Sequence, residues 1–178
     1  MKRLFVAALL TANLATACRI YDLYQDWSDD PDRWGWSLTG GYFEKGSAGI
    51  LVLPDPWARV GWQYDGRSGG LVSISGSVEY AEGFQLASDD FELLLDGQLL
   101  TSGTVSYLNP GPIHFRFGIP YTHHANVEFF LHATGPICCA IANVSLVYET
   151  VPEPGTFGLM ATAGLALLVA GYRHHHQT

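Results

Sequence analysis

Residues 26–32 read Asp26-Trp27-Ser28-Asp29-Asp30-Pro31-Asp32, four carboxylates within seven positions. Hard oxygen ligands at that density can hold Ca²⁺, so Asp26, Asp29, Asp30 and Asp32 are candidate metal ligands. Their spacing is not that of an EF-hand loop, which needs a glycine at its sixth position and a glutamate at its twelfth. A charged stretch broken by proline is equally the mark of a solvated loop. The four histidines of the body, His114, His123, His124 and His132, match no metal or catalytic-triad spacing. Asp89, Asp90 and Glu92 are close in sequence, but along a strand only Asp90 and Glu92 would share a face. A glycosidase needs its carboxylates across a cleft from one another. No G-x-S-x-G elbow is present either, and the chain reads as a non-enzyme.

The aromatic residues point to a ligand. All five tryptophans, Trp27, Trp34, Trp36, Trp57 and Trp62, fall within 36 residues. Trp34 and Trp36 would share one face of a strand. An exposed pair of flat rings can stack on sugar rings, which makes Trp34 and Trp36 the candidate glycan-binding residues. The same rings could instead fill a core.

Charge narrows the partners. The chain carries 9 Lys and Arg against 17 Asp and Glu, a formal net charge of −8. Nucleic acid and anionic lipid surfaces would be repelled rather than attracted. Cysteines are few. Cys138 and Cys139 are adjacent, and Cys18 stands alone near the N-terminus. A vicinal bridge, a bond from Cys18 to either neighbour, or simple burial are all open. No spacing fits structural zinc.

The elements that must position these residues are strands. Val72, Ile74, Gly76, Val78 and Tyr80 alternate with Ser73, Ser75, Ser77 and Glu79, which predicts a strand with one dry and one wet face. Asp96-Gly97 between apolar runs predicts a tight hairpin. Alternation continues at Ile113–Phe117, Val127–His132 and Ala142–Tyr148, and shorter strands are expected at Trp34–Leu38, Ile50–Leu53 and Val60–Tyr64. Gly- and Pro-rich turns recur between them. No convincing helix interrupts the body. Eight to ten short strands predict an all-β, antiparallel β-sandwich of jelly-roll type over 18–150.

Both ends are of another kind. Lys2-Arg3, an apolar run from Leu4 to Leu14 and the small residues Ala15-Thr16-Ala17 form a signal peptide over 1–17, cleaved after Ala17. Cleavage there leaves Cys18 first, so lipidation of Cys18 is an alternative. At the other end, Val151-Pro152-Glu153-Pro154-Gly155 precedes a run without charge up to Tyr172. The two prolines bias their surroundings toward extended backbone, so the motif should stand exposed. A helix over 156–172 would be ~25 Å long, near the length that spans a bilayer core. Its glycines and alanines form a small-residue stripe that favours close helix packing. Arg173 is the permanent charge of the basic end, 173–176, and sets the cytoplasmic side.

Val151, Pro152, Glu153 and Pro154, followed by an apolar segment and Arg173, resemble the C-terminal sorting signal of PEP-CTERM proteins. The resemblance covers 151–178. It implies recognition of Pro-Glu-Pro by an exosortase, a membrane-embedded cysteine protease, and a Gram-negative host that makes exopolysaccharide. The chain would be held briefly in the inner membrane and then reach the cell surface or extracellular matrix. The stretch Ala140–Leu146 resembles the last strand of carbohydrate-binding jelly rolls. There an Asp often precedes the Asn and helps hold calcium, whereas this chain has Ala142. A glycan-binding sandwich, a structural or adhesive biofilm matrix protein and a divergent glycan hydrolase are therefore the functions to separate.

Overall fold

The computed structural model describes residues 19–27, 34–47, 49–66, 69–83, 86–134, 141–153 and 163–164. The described chain begins with strand β1 (Arg19–Asp22) and a single helical turn, α1 (Leu23–Asp26). Strands β2 (Trp36–Thr39), β3 (Tyr42–Lys45), β4 (Ile50–Leu53), β5 (Trp57–Tyr64) and β6 (Gly70–Glu82) follow. The second half holds β7 (Ser88–Leu95), β8 (Gln98–Ser106), β9 (Ile113–Thr122), β10 (Ala125–Ala133) and β11 (Ile141–Val151).

The strands form two antiparallel sheets. One runs β3-β4-β11-β6-β9, with β1 paired to β11 on the edge that β4 also uses. The other runs β2-β5-β10-β7-β8. Most connections carry the chain from one sheet to the other, giving the all-β, jelly-roll-like sandwich expected.

Period-2 patterning explains the layers. In β10, Val127, Phe129 and Leu131 are buried, while Glu128, Phe130 and His132 point outward. In β11 every second residue from Ala142 to Thr150 is buried. The β7–β8 hairpin turns on Asp96 (φ 50°) and Gly97 (φ 78°), the positive-φ pair that a type I′ turn demands. The phase of β6 differs from the simple alternation. Leu71 and Ile74 are buried and Val72 is only half-buried, because the pairing with β9 slips between Leu71 and Ser73. A bulge of that kind reverses the inward phase on one side of it.

Two aromatic clusters fill the interior. Trp62 lies 4.6 Å from Tyr148, 5.1 Å from Tyr21, 5.3 Å from Tyr64 and 6.2 Å from Trp36 between ring centres. Phe91, Phe115 and Phe129 stack within 6.5 Å of each other. A ring of this size removes ~200 Å² from water, worth roughly 5 kcal/mol before the entropy of ordering.

Some expectations change. The first strand candidate begins at Trp36, not Trp34, and α1 adds a helical turn where none was expected. β1 and β3 were not anticipated. Residues 1–17, Cys18, Cys138, Cys139, Asp29, Asp30, Asp32, Pro154 and Arg173 lie outside the described residues. Of the expected span, Ala163 and Gly164 are described, and both are helical. Among the described residues no helix is long and apolar enough to cross a membrane.

The two ends of the sandwich meet. Arg19 opens β1 opposite Thr150 near the close of β11. Val151, paired with Gly70, is the last strand residue. The Pro-Glu-Pro sequence therefore starts with no spacer after the fold.

Candidate functional site

The predicted tryptophan platform does not form. Trp36 is 1 % exposed, stacked on Tyr148 at 4.9 Å in the core. Its position on the inward phase of β2, opposite Trp62, dictates this. Trp34 precedes the strand and is half-buried. The Arg19 guanidinium covers its ring at 4.5 Å, and its backbone oxygen accepts the Trp62 indole N–H at 3.0 Å. Trp36 offers no open face to a sugar, and Arg19 covers one face of Trp34.

Asp26 has a structural partner. Its Oδ2 accepts the Trp36 indole N–H at 2.8 Å. Burial pushes the Asp26 carboxyl up, and this bond pulls it partly back. Among the described residues no group of three or more His, Cys, Asp or Glu is placed to hold a metal.

The open surface with chemistry on it lies elsewhere, on the outer face of the five-stranded sheet. Register aligns its outward residues into rungs. The central rung is Thr39, Arg59, Phe130, Glu92 and Ser102, one residue from each strand. On one side run Trp57, His132, Asp90 and Thr104. On the other run Ser37, Gly61, Glu128, Leu94 and Leu99. Trp57 is 40 % exposed, His132 and Glu92 are exposed, and Phe130 is half-buried. Phe130 and His132 lie nearly parallel, 6.2 Å apart with an 18° interplanar angle.

Arg59 is fixed in this face. Its Nε donates to Glu128 Oε1 at 2.8 Å, and its Nη2 lies 2.7 Å from the same oxygen. Gly61 makes the room. A Cβ there would sit 2.5 Å from Ser37 Oγ and 3.1 Å from the Arg59 guanidinium carbon. Thr104 Oγ1 donates to Asp90 Oδ1.

The face continues past Gln63 and Asn126 into a shallow, open hollow of about 360 Å³, bordered by Asp65, Asp96 and His124. From Asn126 to His132 the face is ~20 Å long, at ~3.3 Å per residue. It is about as wide across its five strands. Flat rings beside fixed hydrogen-bonding groups are suited to a chain of sugar rings. Asp89, the carboxyl that burial and then Asp90 push up to about 7, points into the core and away from this face. It is 0 % exposed, and neither oxygen has a hydrogen-bond partner among the described residues.

Trp57 and Phe130 carried a readable signal. Ala58, Val60, Trp62 and Tyr64 set the inward phase of β5, which places Trp57 outward. Phe130 falls in the polar phase of β10.

At the tail, Pro152 is half-buried and Glu153 is exposed, with its Oε1 3.9 Å from His123 Nδ1. The motif thus leans on the β9–β10 turn at its start.

No protein-family profile matches the chain, and no curated protein matches it. Solved structures do. A family 51 carbohydrate-binding module from Clostridium perfringens, in complex with methyl-galactose, aligns at 12 % identity and TM-score 0.47, over 73 % of this chain and 99 % of that one. A family 36 carbohydrate-binding module in complex with calcium and xylotriose aligns at 14 % identity and TM-score 0.42, over 74 % and 99 %. A family 35 module from Paenibacillus barcinonensis aligns at 12 % and 0.41, over 72 % and 97 %. The chain is similar to these modules at a level too low to speak for its site, which rests on its own residues.

Proposed function

We propose that this is an exported, non-catalytic protein whose β-sandwich binds glycans through the outer face of its five-stranded sheet. The observation that carries the reading is the rung pattern, in which Trp57, Phe130 and His132 lie beside fixed polar groups on an open surface. On a glycan array, the wild-type chain should bind at least one oligosaccharide class. Trp57→Ala and Phe130→Ala should each weaken that binding about five- to tenfold, the worth of one ring contact. Equal binding by the variants would remove this face from the argument. Binding to no glycan would favour the structural or adhesive role.

The tail supplies the address in this proposal. An exosortase reads Pro152-Glu153-Pro154, and the segment after it holds the chain in the inner membrane until then. The juxtaposition of Arg19 with Thr150 supports this, because a signal peptide and a C-terminal span can then enter one membrane from one end of the domain. Replacing Pro152 and Pro154 by alanine should leave full-length protein in the inner-membrane fraction. Intact mass and fractionation of wild type and variant check it. Release of the variant at the wild-type rate would end the sorting reading.

A further inference from the structure

We propose that the glycan taken by this face is an amino-sugar polymer with free, protonated amines, rather than a uronate or a fully N-acetylated chain; the inference rests on the glycan-binding reading above. The permanent charges on the three rungs are Asp90, Glu92 and Glu128 against Arg59. Arg59 is already neutralised by Glu128 at 2.7 Å. That leaves Asp90 and Glu92, two residues apart on the outward phase of β7, roughly 7 Å from one another. Glu92 stands opposite Phe130, and Asp90 stands opposite His132. Asp90 takes the Thr104 hydroxyl, whereas Glu92 is exposed and has no hydrogen-bond or ion-pair partner among the described residues. The hollow beyond Gln63 is lined by Asp65, Asp96 and His124, and Asp96 Oδ1 accepts the Asn126 N–H there.

An ammonium group over this surface meets a carboxylate beside an aromatic ring, so an ion pair and a cation–π contact act together. A uronate would meet the same carboxylates and be repelled. A neutral sugar would offer Glu92 hydroxyl donors but no opposite charge, and so loses the ion-pair part of the contact.

The full chain, in non-ionic detergent, should be titrated by calorimetry with short chitosan oligomers, with their N-acetylated counterparts and with oligouronates of equal length. Chitosan oligomers should bind, more weakly as salt rises. Glu92→Gln should weaken them about fivefold, with thermal stability unchanged. Glu79→Gln, on the outer side of the other sheet, should change nothing and so separates a site from diffuse acidic charge. Equal losses in both variants, or acetylated oligomers binding as tightly, would overturn the amine assignment while leaving glycan binding intact. If none of the three series binds and the array is also blank, the glycan-binding reading itself fails.

Discussion

Trp62→Ala should cost the sandwich about 4 kcal/mol. The ring is 0 % exposed and touches aromatic residues of four other positions, Tyr21, Trp36, Tyr64 and Tyr148. Its indole N–H also ties β5 to the loop before β2 through the Trp34 oxygen. Truncation therefore leaves a cavity, opens the stack and orphans a carbonyl. Urea denaturation should show the loss as a lower midpoint with an unchanged slope, and melting should fall by roughly 15 °C. Trp62→Phe keeps part of the stack and should lose about half as much. A full-size alanine effect below 1 kcal/mol would mean that this cluster is not the keystone of the fold.

Asp89→Asn should stabilise the protein at pH 8 and leave it unchanged near pH 4. The wild-type carboxyl is buried without a hydrogen-bond partner among the described residues. Its protonated form is favoured up to about 7, first by burial and then by the neighbouring Asp90. In the unfolded chain the same group releases its proton near ~4. Between these values the unfolded state binds fewer protons than the folded state, so stability falls as pH rises. The contribution is complete below ~pH 4 and gone above about 7. An amide carries no such charge. The gain at pH 8 should be about 2 kcal/mol, less than the full shift because the ionised group draws in water. Parallel urea titrations at the two pH values give the difference directly. An equal gap at both would place the effect in packing rather than in ionisation.

Both predictions concern positions whose burial was only half legible in the sequence. The strands with clean alternation, β9 to β11, and the Asp96-Gly97 hairpin could be read directly, because period and turn chemistry agree there. β1 and β3 could not. They are four residues long and mostly polar or exposed, without the apolar run that marked the equally short β4, and they exist because β11 and β4 offer edges to pair with. The tryptophan platform failed for a related reason. Trp34 and Trp36 are two apart, but strand pairing begins only at Trp36, and its partner Trp62 fixes it inward. The face that does stand open is assembled from five strands far apart in sequence. No window of the chain contains Thr39, Arg59, Phe130, Glu92 and Ser102 together. Only the phase of each strand hinted that Trp57 and Phe130 face out.

The close of β11 at Val151 also has a mechanical meaning. β11 is an interior strand, held by β6 from Ile141 to Val151 on one edge and by β1 and β4 on the other. A pull on the chain beyond Val151 runs along the strand axis. Antiparallel bonds to both neighbours then share the load in shear, instead of opening one at a time as at a peeled edge. In the proposed function, a domain tethered through this strand and holding a glycan on the opposite sheet would pass tension through the aromatic core between them. The aromatic interior and the two-sided pairing of the last strand together make Val151 a mechanically firm exit from the sandwich.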